Sequence, residues 1–125
     1  MQARVLHLLL LLLRVITRCT SADGRVVSLD RGADGDLHLA LDPEHPSVLN
    51  LLNATHLHGN LVVEVICERA PADAHADAAA ACAAFTSRVA IPRIGDRVRV
   101  TGAYVTDREN SWNELHPVTR IENLR

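Results

Sequence analysis

From Asp36 to Asp42 the chain steps strictly between aliphatic and polar residues, with Leu37, Leu39 and Leu41 on one side and Asp36, His38 and Asp42 on the other. A period of two puts alternate side chains on opposite faces of a strand, so this segment reads as a half-buried β-strand with one wet face. The period returns in Arg97–Val105, where Val98 and Val100 oppose Arg97, Arg99 and Thr101. Leu61–Cys67 is different in character. Leu61, Val63, Val65 and Cys67 make one face, while Val62 and Ile66 make the other mostly apolar too, as in a central strand covered on both sides, with Glu64 the exception. Phe85, Tyr104 and Trp112 are the whole aromatic set, so any core is aliphatic, and 125 residues make room for one domain.

The remaining elements follow from breakers and propensity. Arg14–Thr20 alternates and continues past Gly24 into Arg25–Leu29, which suits one long strand bent at a glycine. Arg31–Gly35 is a turn cluster, and Pro43–His58 is a connection with a short helical turn within Ser47–Asn53. Pro71–Phe85 is alanine-rich with Asp73 and Asp77 near its start, which predicts a helix from about Ala72 to Ala84. Gly95-Asp96 and Asp107–Asn110 are turns, and Ser111–Ile121 is a last strand disturbed by Pro117. The fold class is therefore mainly β. Five strands with one helix between strands 3 and 4 is the order of an OB-like barrel, and an open antiparallel sandwich is the alternative.

The domain so defined covers residues 14–122, with a tail at 123–125 and a leucine-rich leader at 1–13. The apolar run Val5–Leu13 is far shorter than the ~20 residues of a membrane span. It matches the hydrophobic region of a secretory signal, with Thr20-Ser21-Ala22 offering cleavage after Ala22. If Arg14–Thr20 belongs to the first strand, such a cut removes half of that strand. Cys67 at the end of the third strand and Cys82 in the following helix suit a disulfide, worth roughly 3 kcal/mol through loop closure and requiring an oxidising compartment. Export is favoured over the cytoplasm on these two grounds.

From Gly95 onward a longer pattern is recognisable. Gly95–Asp107, followed by Trp112-Asn113-Glu114-Leu115-His116-Pro117-Val118, resembles a family of small uncharacterised OB-like proteins of bacteria and archaea. Cys19, Asp34-Gly35-Asp36 with His38, and Ala81-Cys82 agree with it, and the likeness runs from about Arg14 to Glu122. Asn110-Ser111 stands where the family pattern has His-Gly. The resemblance implies the fold and brings no activity with it.

Charge and motifs narrow the function. All thirteen basic residues are Arg, set against fifteen acidic ones, so the basic excess usual in nucleic-acid binders is absent. Arg97 and Arg99 beside Trp112 could give a stacking-plus-phosphate surface, but five acidic residues offset the five Arg between Arg93 and Glu122. Strong nucleic-acid binding is not expected. Trp112, Glu114 and His116 share one side of the last strand, and His38 points to the wet side of the second. Two imidazoles and a carboxylate suit a divalent metal or an acid–base pair. The simpler reading is that Glu114 and His116 satisfy each other near Pro117, since no spacing brings His38 to them. No zinc-type clustering, nucleophile motif or phosphate loop is present, so no catalytic residue, metal or cofactor is assigned. The sequon Asn53-Ala54-Thr55 reads as chance. The expected function is a small non-catalytic binding or accessory module, with Arg97, Arg99, Trp112, Glu114, His116 and His38 as candidate ligand residues. A cytoplasmic OB-fold nucleic-acid binder is the alternative, and a metal-dependent enzyme using His38, Glu114 and His116 comes third.

Overall fold

The computed structural model describes residues 13–69, 82 and 88–125. Five strands, β1 (Leu13–Arg31), β2 (Leu37–Pro43), β3 (Leu61–Val65), β4 (Arg97–Asp107) and β5 (Asn113–Asn123), form one sheet in the order β1-β2-β3-β5-β4. A short 3₁₀ turn (Pro46–Val48) and a helix, α1 (Leu51–His56), connect β2 to β3. The helix expected over Ala72–Ala84 lies outside the described residues apart from Cys82, as does the leader apart from Leu13.

β1 is one continuous strand that serves two neighbours. Its first part pairs antiparallel with β4 as far as Arg25, and from Gly24 onward it pairs with β2. Gly24 stands where both ladders meet. A Cβ there would lie 2.3 Å from the Asp42 carbonyl oxygen, so only glycine lets β2 approach. Ala22, just before this bend, is buried and opposite Val100. The first part of β1 is thus strand in the fold.

All pairs are antiparallel except β3 with β5, which run parallel through Val62 opposite Glu114 and Val63 opposite Leu115. β1 pairing with β4 returns the sheet on itself. The interior is aliphatic, as composition demands: Leu37, Leu39 and Leu41 of β2 meet Leu61, Val63 and Val65 of β3, with Val98, Val100 and Leu115 closing over them. β3 is covered on its other face too, since Glu64 is only 7% exposed.

Two boundaries differ from expectation. β3 ends at Val65, because Cys67 sits at φ 53°, a left-handed conformation that a strand cannot continue through. Cys67 is joined to Cys82 by a disulfide, and its N–H is held by Asp36 Oδ1 at 2.9 Å. The helical turn in the β2–β3 connection starts later than Ser47–Asn53 suggests, because polar groups set it. Asn50 caps α1 by accepting from Leu52 and Asn53 N–H groups, and Leu51 stays 73% exposed.

Asn53 carries that connection. It is fully buried, its amide donating to the carbonyls of Asn60 and Asn113 while its oxygen accepts from the N–H groups of Asn50 and Asn113. Two of the four bonds tie α1 to the start of β5, and the other two close the helix onto its own cap and onto the residue before β3. The sequon asparagine is therefore enclosed in the fold.

Candidate functional site

Register assembles the site. His38 of β2 lies opposite Glu64 of β3, and Val62 opposite Glu114 sets Glu64 beside His116 of β5. Asp30 of β1 lies opposite His38. The pleat points all of these away from the aliphatic interior, so Asp30, His38, Glu64 and His116 form a row across four strands. Glu114 and Trp112 follow along β5 at intervals of two, on the same side.

The side chains touch along this row. His38 Nε2 is 3.2 Å from Glu64 Oε1, His116 Nδ1 is 2.9 Å from Glu64 Oε2, and the same Nδ1 is 3.1 Å from Glu114 Oε1. Trp112 Nε1 donates to Glu114 Oε2 at 2.8 Å. One imidazole nitrogen thus faces two carboxylates, and the outer oxygen of each carboxylate is held by another side chain. Glu114 and His116 do satisfy each other, as the simpler reading of the sequence has it. They also meet His38, through Glu64.

Burial makes these contacts strong. Burial alone pulls the His116 imidazole down, but its hydrogen bonds to Glu114 and Glu64 and their charges outweigh this and raise it to about 10. Glu64 is pushed up by burial and held, on balance, well below the usual carboxylate range by His116 and His38. His38 is raised, chiefly by its hydrogen bond to Glu64. Asp36 behaves oppositely. Burial, with the nearby Asp34 and Glu64 carboxylates, lifts it to about 7 against the pull of the Cys67 N–H. The cluster thus runs from the disulfide through Asp36 and Glu64 to His116, Glu114 and Trp112.

Above the row lies a concavity of about 430 Å³. Its walls include Asp30, Glu64, Asp107, Glu109 and Glu114, with His38, His116 and Trp112. No Arg is among the described residues that line it.

The candidate residues read from the sequence divide into two groups. Trp112, Glu114, His116 and His38 come together. Arg97 and Arg99 do not join them: they lie on β4, where Arg97 pairs with Glu44 and Arg99 pairs with Asp23 through two bonds of 2.8 and 2.9 Å. Both guanidinium groups are engaged by carboxylates from elsewhere in the chain, Glu44 just after β2 and Asp23 of β1. Glu64 and Asp36 escaped the reading of the sequence as site residues. The one polar position in an otherwise apolar β3 was the signal for Glu64. Nothing comparable marks Asp36, whose role depends on burial. Comparison with family models, curated proteins and solved structures finds no match to this chain.

Proposed function

We propose that the chain is a small non-catalytic binding module on an OB-type barrel, and that its ligand is a cation seated in the concavity over β1, β2, β3 and β5. The observation that carries this reading is the row Asp30, His38, Glu64 and His116, with Glu114 beside it, opening into a space walled by five carboxylates and free of Arg among the described residues. The volume is that of a small-molecule site, and convergent carboxylates in a concave, partly desolvated wall focus a negative potential. Trp112 adds an aromatic face against which a cation can lie.

The same charges argue against single-stranded nucleic acid. The only tryptophan sits among carboxylates, and the candidate phosphate-binding groups Arg97 and Arg99 are already paired. The disulfide points to an oxidising environment, and with the apolar leader it supports export. None of the helices among the described residues is long and apolar enough to cross a membrane.

Trp112 reports on the site directly, being the only tryptophan and hydrogen-bonded to Glu114. Spermidine added to the protein at low salt should change its emission saturably, and added salt should weaken the effect. A labelled oligonucleotide should bind no tighter than the non-specific range of about 10⁻⁴–10⁻⁶ M. A submicromolar oligonucleotide constant with steep salt dependence, and silence toward spermidine, would overturn this function and return Arg97 and Arg99 to a working surface.

A further inference from the structure

We propose that Glu64, Glu114 and His116 bind a divalent transition-metal ion of the zinc class, with His38 and Trp112 holding the two carboxylates in place. The proposal rests on the reading that the concavity takes a cation, and names which cation the end over β3 and β5 selects.

The ligand atoms already stand close to where such an ion needs them. Glu64 Oε2 and Glu114 Oε1 lie 2.9 and 3.1 Å from His116 Nδ1, and one ligand atom from each residue falls within 4.8 Å of the others. Ligands of a tetrahedral ion with bonds of 2.0–2.1 Å are separated by about 3.3 Å. The two nitrogen–oxygen separations thus differ from that spacing by a few tenths of an ångström, and the third side of the triangle is bounded at 4.8 Å.

The second tier is independent of that coincidence. Each carboxylate turns one oxygen toward His116 and has the other fixed, Glu64 Oε1 by His38 Nε2 and Glu114 Oε2 by Trp112 Nε1. Outer partners of this kind decide which oxygen a ligating carboxylate presents. All five side chains start from strands or the residue preceding one, and all five line the concavity, so a fourth coordination position opens onto it. Two carboxylates balance the charge of a divalent ion. An imidazole with two carboxylates suits zinc, cobalt or nickel, whereas calcium takes six or more oxygens and magnesium an octahedral set.

The exchange balances simply. His116 gives up the proton on Nδ1 to solvent, its nitrogen lone pair forms the bond to the metal, and the carboxylates exchange a hydrogen bond for a metal bond.

The test uses the full chain without a polyhistidine tag, titrated with zinc chloride at pH 7 by calorimetry. One zinc per chain is expected. Glu114→Gln and Glu64→Gln should each weaken zinc at least tenfold, while Asp42→Asn, at the other end of β2 and not among the residues lining the concavity, should not. Zinc that fails to saturate by 100 μM, or binds both glutamine variants as well as wild type, would refute the metal site. Where a variant does not fold, the ring resonances of His116 in the wild-type chain decide, and their failure to move at one equivalent of zinc is equally fatal. Spermidine separates the two readings. If it still perturbs Trp112 while zinc fails, the cation-binding face stands without its metal; if neither acts, both fall.

Discussion

Replacing Glu64 by glutamine tests the cluster as a charged unit, because glutamine keeps the shape and removes the charge. Lifting His116 from its ordinary 6.5 to about 10 corresponds to roughly 5 kcal/mol of preference for the imidazolium in the folded chain. Two carboxylates at similar distances share that preference, so Glu64→Gln should cost about 2 kcal/mol at pH 6, a little more with the loss of the half-exposed His38 contact. The sign follows from linkage. A folded-state pKa above the unfolded one contributes stability that is complete below pH 6.5 and disappears as pH rises through about 10. Glu64, held low, contributes in full above about 4.5, so pH 6 lies inside both windows.

Above pH 7 a second effect runs in the same direction. Asp36 ionises there and faces Glu64, and glutamine relieves that repulsion. The cost of Glu64→Gln should thus shrink from pH 7 upward and vanish or reverse by pH 10.5. Urea denaturation followed by far-UV circular dichroism at pH 6, 8 and 10.5 measures it. A cost that is the same at all three values would show that Glu64 acts through shape alone, and the electrostatic account would be wrong.

Three further substitutions probe other parts of the fold. Asp36→Asn keeps an acceptor for the Cys67 N–H and removes the charge that faces Glu64, so it should stabilise the protein by about 1–4 kcal/mol at pH 8 and by little at about pH 3, below the unfolded value of 3.8; equal effects at both pH values would contradict the burial-raised carboxyl. Asn53→Ala removes four hydrogen bonds from a fully buried site, and denaturation should show a loss of roughly 3–5 kcal/mol; a loss under 1 kcal/mol would mean α1 is not anchored by this side chain. Ser111→Gly should raise stability by about 0.5–1 kcal/mol in thermal melts, because Ser111 sits at φ 66°; destabilisation would show that the serine hydroxyl contributes more than its backbone costs.

Much of the sheet was legible because its interior obeys one rule. The alternations in Asp36–Asp42 and Arg97–Val105 place Leu37, Leu39, Leu41, Val98 and Val100 inside, and there they are. Gly24 announced the bend of β1, where the ladders to β2 and β4 meet. What could not be read was pairing across the sheet. Nothing in the sequence says that β3 lies parallel to β5, and that one pairing decides whether Glu64 meets His116. A period of two tells which residues share a face of a strand; it says nothing about which strand lies next. For the same reason Arg97 and Arg99 looked free, since Glu44 and Asp23 reach them from other strands or from the residues after them.

The parallel seam gives the cluster two roles that cannot be separated. β3 and β5 pair only through Val62 with Glu114 and Val63 with Leu115, whereas β1 and β4 pair along most of the length of β4. Glu64 and His116 extend the short seam by one more residue pair, in side-chain contacts instead of backbone ones, and His38 carries the connection on to β2. A cation in the concavity therefore competes with the proton that joins the two strands. A ligand that replaces the proton with equal or better bonds stabilises the folded chain in proportion to its affinity, and one that only attracts the carboxylates away from His116 loosens the seam. Zinc at the proposed position does the first, since it bonds to both strands at once. An organic cation lying higher in the concavity bonds to neither imidazole, so it should leave the melting temperature nearly unchanged where zinc raises it.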